Sequence, residues 1–222
     1  MRLNVLYEDN HLIVVLKPAG VLVQADETHD PSLMDEVKKY LKEKYKKPGN
    51  VFLGLVQRLD RPVGGIVLFA KTSKGASRLS AQFRERSVEK YYYAVVVGKP
   101  AAKSGTIVSF LKKDEKRNVV EIFQKETPGA KRAELFWEMI LSGKKNTLLK
   151  IKLGTGRSHQ IRAQLSSIGL PILGDIKYGA PAPLADKSIA LFAASLSFHL
   201  ATQDETKTIE LPWPKEWKKY LN

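Results

Sequence analysis

The chain has no cysteine, which excludes disulfides, thiol catalysis and zinc sites built on thiolates. Its four histidines, His11, His29, His159 and His199, are scattered without ligand spacing, so no metal site is expected. No apolar run approaches bilayer length, and the opening MRLNVLYEDNHLIVVL breaks its apolar residues with acidic and polar ones where a signal peptide would not. The expectation is a cytoplasmic protein with no membrane partner. Internal repeats, low-complexity tracts, linkers, an arginine-rich tail and long lysine blocks are also missing. What is abundant is positive charge: 37 Lys and Arg against 23 Asp and Glu give +14 over 222 residues. Spread across a sequence that is 43% apolar and 27% charged, that excess reads as a basic face on a folded body, and a polyanion such as nucleic acid is the natural partner.

The pattern of apolar residues gives a mixed α+β domain. Val5, Tyr7 and Leu12 to Leu16 form a hairpin around Asp9-Asn10, followed by a Lys17-Pro18-Ala19-Gly20 turn. Asp30-Pro31 reads as the cap and first-turn proline of a helix with Leu33, Val37, Tyr40 and Leu41 on one face, ending at Lys47-Pro48-Gly49. Ile66 to Ala70 is a buried strand, Thr72 caps the next helix, and Ala76, Leu79 and Phe83 make that helix's apolar stripe. Glu89 to Gly98 is a central strand in which Lys90, Tyr92 and Ala94 share a face and Tyr91 and Tyr93 turn to the core. Strands follow at 107–111, 119–124, 133–140 and 147–153. A helix then carries Ile161, Leu165 and Ile168 on one face and stops at Gly169 and Pro171, before a last strand at 190–198.

LVQRLDRPVGGIVLFAKT, residues 55–72, sets Asp60 between Arg58 and Arg61. The plain reading is a surface turn in which the arginines neutralise the carboxylate. A carboxylate held in line with a bound polyanion can instead act as nucleophile or base. Gly154-Thr155-Gly156 lacks the lysine and glycine spacing of a phosphate loop, and no nucleophile elbow is present. A paired-carboxylate glycosidase using Asp60 and Asp175 stays open at this point.

Three blocks, Gln57-Arg58-Leu59-Asp60-Arg61-Pro62-Val63-Gly64-Gly65, Lys90-Tyr91-Tyr92-Tyr93-Ala94 and Thr155-Gly156-Arg157-Ser158-His159-Gln160-Ile161-Arg162, resemble in order the signatures of the RluA-type RNA pseudouridine synthases. Lys17 to Gly20 before them agrees, as do Gly169, Pro171, Ile172, Gly174, Asp175, Tyr178 and Gly179 after them. The departures are Gln57 where the family commonly has His, Val63 and Gly64 where it has hydroxyl residues, and Ser158 for Thr; Gly64 would loosen the loop carrying Asp60.

The resemblance implies a single catalytic domain over 1–222 with a mixed, mostly antiparallel central sheet flanked by helices and no separate N-terminal RNA-binding module. It implies isomerisation of uridine to pseudouridine, without metal or cofactor, in structured RNA, a stem-loop of ribosomal RNA or tRNA, by a monomer. Asp60 would be the essential carboxylate, Tyr92 would stack on the target base, and Arg162 would pair with Asp60. Leu59 and Ile161 would line the pocket. Arg58, Arg61, Lys90, Arg157 and His159 would meet RNA, Arg58 by filling the gap left by a flipped base. Gly154 and Gly156 would permit the turn into the helix, and Asp175 would brace a loop. The rival readings are a non-catalytic RNA-binding or RNA-chaperone protein that keeps the fold, and a hydrolase that releases uracil.

Overall fold

The computed structural model describes residues 3–28 and 30–222; His29 lies outside the described residues. In chain order the elements are β1 (Asn4–Glu8), β2 (Leu12–Lys17), α1 (Leu33–Lys44), β3 (Gly54–Leu55), β4 (Gly64–Ala70), α2 (Ser73–Glu85) and β5 (Glu89–Val97), followed by β6 (Ser104–Asp114), β7 (Val119–Phe123), β8 (Lys131–Ser142) and β9 (Asn146–Leu153). Then come α3 (Gln160–Ser167), β10 (Leu191–His199), β11 (Thr206–Glu210) and α4 (Lys218–Leu221). The α+β class and the mostly antiparallel pairing are as expected. The chain divides into two compact units, one formed by residues up to Glu89 with Ser195–Leu211, the other by Lys90–Ala194 with Pro212–Asn222. Among the described residues no helix is long and apolar enough to cross a membrane.

In the first unit β1 and β2 form the expected hairpin. Its turn is closed by Asp9, whose Oδ1 accepts from the backbone N–H of His11 and Leu12 at 2.7 Å each. β2 pairs along β4 from Leu12↔Ala70 to Lys17↔Gly65. All seven residues of β4 are buried, which explains its unbroken apolar run: a strand covered on both faces has no solvent side to mark with polar residues. Leu12, Val14, Ile66, Leu68, Leu79 and Phe198 share one core.

Three details of α1 differ from the sequence reading. Its cap is Ser32, not Asp30-Pro31, because Ser32 and Asp35 make a reciprocal capping box in which each side chain accepts from the other's backbone N–H. The helix also ends at Lys44, three residues short of Lys47, and Tyr40 leaves the apolar face to donate its hydroxyl proton to Glu8 at 3.0 Å. Thr72 does cap α2, its Oγ1 accepting from Gly75 N–H at 3.1 Å.

The second unit is built on an antiparallel run in the order β5-β9-β8-β6-β7. β6 and β8 are longer than the apolar pattern suggested, pairing from Ser104↔Glu138 to Leu111↔Lys131. Tyr91 does not enter the core: it is half-buried, with Lys150 Nζ and Lys152 Nζ 5.1 and 5.4 Å from its ring centroid. Tyr93 is also only half-buried, while Tyr92 is 8% exposed. The aromatic stripe therefore lies opposite to the one inferred, because the lysines of β9 supply favourable cation–π partners on the outer face.

α3 is likewise not amphipathic. Residues Gln160 to Leu165 are all buried, and Ile168, expected on the apolar face, is the exposed C-cap. Bonding covers most of its buried glutamine atoms: Gln160 Oε1 accepts from Thr155 Oγ1 at 2.7 Å and Arg157 N–H at 3.0 Å, and Gln164 Nε2 donates to Ser109 Oγ at 2.9 Å, while Gln164 Oε1 is buried without a hydrogen-bond partner among the described residues. The left-handed residue entering α3 is His159, φ 49°, and neither Gly154 nor Gly156 has a positive φ.

Candidate active site

In the first unit the loop between β3 and β4 presents Asp60. Its neighbours Leu59 and Val63 are buried, 8% and 2% exposed, and Val63 N–H donates to Asp60 C=O at 3.0 Å. Two apolar anchors and a tight turn thus hold a half-buried carboxylate between them. The positive φ that lets β4 begin is at Gly65, 128°, and not at Gly64.

Lys17 anchors this loop from below. Its ammonium, 1% exposed, donates to the carbonyls of Val21 at 2.6 Å and of Pro18 and Arg61 at 3.1 Å. Arg61 C=O also accepts from Gly20 N–H at 2.8 Å, and Arg61 Nε returns a bond to Gly20 C=O at 3.0 Å. The Lys-Pro-Ala-Gly turn and the Asp60 loop are in this way one stitched object. Burial pushes the Lys17 ammonium down to about 8, with the Asp60 carboxylate pulling up and Arg61 pushing down further. Arg61 does not serve Asp60 as the plain turn reading had it, since its Nη2 pairs with Asp30 at 2.6 Å. Arg58 is exposed. Gln57 Nε2 is buried without a hydrogen-bond partner among the described residues.

In the second unit the third block builds a polar cluster on α3. Arg162, 5% exposed, meets Asp175, 1% exposed, in a two-pronged pair: Nε to Oδ2 at 2.7 Å and Nη2 to Oδ1 at 2.9 Å. The guanidinium also lies 4.9 Å from the centroid of the Tyr178 ring. That hydroxyl accepts from Val120 N–H at 2.9 Å and stands 2.8 Å from His159 Nδ1. Such a fork fixes the plane of an arginine as well as its position. Asp175 is thus a clamp on Arg162, a role that the sequence reading reduced to bracing a loop.

Of the other expected residues, Ile161 is buried at 5% exposure. Lys90 Nζ lies 3.2 Å from where a Cβ on Gly156 would stand, so glycine there keeps room for the lysine. Arg157 is tied by Nε to Arg132 C=O at 3.2 Å and lines an open cleft with lysines of β6 and β8. Lys17, Tyr178 and those lysines were not singled out as site residues. The signal for Lys17 and Tyr178 was their place in the segments that agree with the family before and after the three blocks; the cleft lysines carry no local signal.

Residues 11–167 match the family model described as RNA pseudouridylate synthase. The chain is 30% identical over 223 residues to the ribosomal large subunit pseudouridine synthase C of Vibrio parahaemolyticus, across 98% of this chain and 68% of that protein. It is 34% identical over 206 residues to the ribosomal large subunit pseudouridine synthase D of Zymomonas mobilis, across 88% of this chain and 64% of that one. It therefore spans about two thirds of the length of these relatives. A solved human structure, RNA pseudouridylate synthase domain containing 4, shares the fold with a TM-score of 0.80 at 23% identity, over 97% of this chain and 90% of that chain. With the family match running through the Asp60 loop, the Tyr92 strand and the turn into α3 as far as Arg162, the chain belongs to the RNA pseudouridylate synthase family, a family of RNA isomerases.

Proposed function

We propose that this protein converts a specific uridine of structured RNA to pseudouridine, with Asp60 as the essential carboxylate. The observation that carries the reading is the stitched Asp60 loop: the carboxylate sits between two buried apolar neighbours on a loop fastened through Arg61 C=O to a buried ammonium. Chemistry on a held carboxylate needs that kind of fixed support. The bond between ribose and uracil N1 breaks, the uracil turns, and a bond to C5 replaces it while the C5 proton is lost and N1 gains one. Nothing enters or leaves overall, so the reaction calls for no oxidant and no group donor.

Tyr92 stacks on the target base, and Arg162, held in one plane by Asp175, orients the carboxylate and its substrate. Leu59 and Ile161 supply apolar walls. A base stacked in a helix is out of reach of a carboxylate, so the uridine is first extruded, at a cost of about a few kcal/mol. Arg58, exposed and planar, fills the gap it leaves; Arg61, Lys90, Arg157 and His159 meet the surrounding RNA. The names of the relatives favour large-subunit ribosomal RNA as the substrate, and the enzyme acts as a monomer.

The test is product analysis with unmodified large-subunit ribosomal RNA transcribed in vitro. Pseudouridine at a defined position with no change in RNA mass, lost in Asp60→Asn, is the expected result. Free uracil would make the protein a hydrolase, and tight binding without product would make it a non-catalytic RNA binder.

A further inference from the structure

The second unit carries an open cleft of about 500 Å³ that none of the catalytic assignments uses. Its floor is apolar, formed by Leu111 and Val120, 5% and 7% exposed. Its rim is cationic: Lys112 and Lys113 come from β6, Lys131 from the start of β8 and Arg157 from the turn into α3. Among the described residues the only carboxylate on the lining is Glu115, and it is tied to Lys113. Four cations facing one neutralised acid leave the opening positive, and the volume is in the range of small-ligand pockets.

Local geometry explains why the cations converge. β6 and β8 pair at Leu111↔Lys131, so Lys131 stands across from the end of the apolar floor. The chain enters β8 through a turn with Gly129 at φ 79°, and the Lys112 stem crosses that glycine, its Cε 3.6 Å from where a Cβ would stand. A side chain at 129 would push this lysine aside. Arg157 is held by its Nε on Arg132 C=O, which fixes the direction of the guanidinium before any ligand arrives. The Ser158 hydroxyl lies on the same wall, a further donor suited to phosphate oxygens.

We infer that this cleft is a second RNA subsite, in which phosphates of the substrate strand outside the target nucleotide sit on Lys112, Lys131 and Arg157 while a ribose or base edge covers Leu111 and Val120. The inference rests on the reading of the substrate as RNA. Arg157 stands in the turn that leads into α3, whose third residue is Arg162, so the strand that fills the cleft is gripped by the same turn and helix that carry the site arginine. A polyanion is the occupant that combines repeated negative charge with flat apolar faces.

The test uses the full chain and a fragment of unmodified large-subunit ribosomal RNA that the parent binds. Lys112→Gln/Lys131→Gln alters two exposed side chains, and unchanged thermal unfolding verifies that it folds. Affinity is measured by filter binding from about 50 to 200 mM salt. The double variant should bind roughly tenfold more weakly or worse, with the slope of log affinity against log salt reduced by about 2, one for each phosphate deprived of its lysine. The control Lys144→Gln/Lys145→Gln removes the same charge from the exposed β8–β9 turn and should leave slope and turnover as in the parent. An unchanged slope in the cleft variant, or an equal drop in the control, overturns the subsite. If the parent forms pseudouridine while the cleft variant binds as well as the parent, the subsite alone fails. If the parent binds with a cleft-dependent slope but forms none, the isomerase reading alone fails.

Discussion

Two arginine–aspartate pairs in this molecule have nearly the same length and opposite weight. Arg61–Asp30 in the first unit measures 2.6 Å with both side chains 46% exposed; Arg162–Asp175 in the second measures 2.7 Å with 7% and 1% exposed. Water and salt screen the first, so holding two long side chains together gains little. The second has been taken out of water, and each partner is the other's main replacement for solvent. Contact distance therefore says little about energy, and burial decides it. Arg162 is oriented by a partner it cannot lose cheaply, whereas Arg61 serves chiefly through its backbone and its bond to Gly20.

The contrast breaks most visibly at Asp175. Asp175→Ala should cost about 3–5 kcal/mol in denaturant unfolding, because it removes both prongs of the fork from a buried guanidinium; a loss below about 1 kcal/mol would show the pair to be solvated after all. Arg162→Met/Asp175→Leu should regain much of that stability, and turnover that stays lost in it would separate the structural task of the pair from the catalytic one proposed for Arg162.

Lys17 comes next. Lys17→Met leaves the carbonyls of Pro18, Val21 and Arg61 without its ammonium and should cost about 2–4 kcal/mol. The sign of its pH dependence follows from a folded value of about 8 against an ordinary 10.5. Below pH 8 both states hold the proton and the penalty of burying charge is fully present. Between 8 and 10.5 the folded state holds fewer protons, so this group makes stability rise with pH there. Unfolding of parent and variant across that window should show the rise in the parent alone.

Glu8 is an intermediate case. Burial would push its carboxyl up, but hydrogen bonds from Lys44, Lys71, Tyr45 and Tyr40 hold it at about 2 instead of 4.5. Its contribution is present above pH 4.5 and is lost as pH falls towards 2. Glu8→Gln should cost about 1–3 kcal/mol at neutral pH and flatten that acid limb in thermal unfolding. Smallest of all, Asp30→Asn should change stability by less than about 1 kcal/mol, with even that difference vanishing in high salt.

What could be read from the sequence was whatever lies close along the chain. The unbroken apolar run of β4, the Thr72 cap and the turn before it depend on neighbours within a few residues. The first cap was misread because Asp30 and Ser32 are both good capping residues and only the reciprocal bond to Asp35 separates them. Tyr91 was assigned to the core because alternation fixes which residues share a face but not which face is covered, and lysines on β9 decided that. The motif marked Arg162 out in the sequence, but its clamp was not legible, since Asp175 reaches it only across the turn after α3. The cleft lysines come together through strand pairing of β6 and β8, which periodicity leaves undetermined.

The division into units has a consequence for synthesis. The first unit is interrupted after Glu89 and resumes at Ser195, and the second completes itself only with Pro212–Asn222, where Leu221 C=O packs so closely on Gly143 that a Cβ there would stand 2.1 Å from it. At translation rates of about 5–20 residues per second, the segment holding β4 and the Asp60 loop waits roughly 5–20 s for the β10–β11 residues that finish its unit. Throughout that delay the apolar strand β4 lacks part of its native cover, a stretch of nascent chain suited to capture by a holding chaperone. The first unit is complete only at Leu211, shortly before the second closes at Asn222.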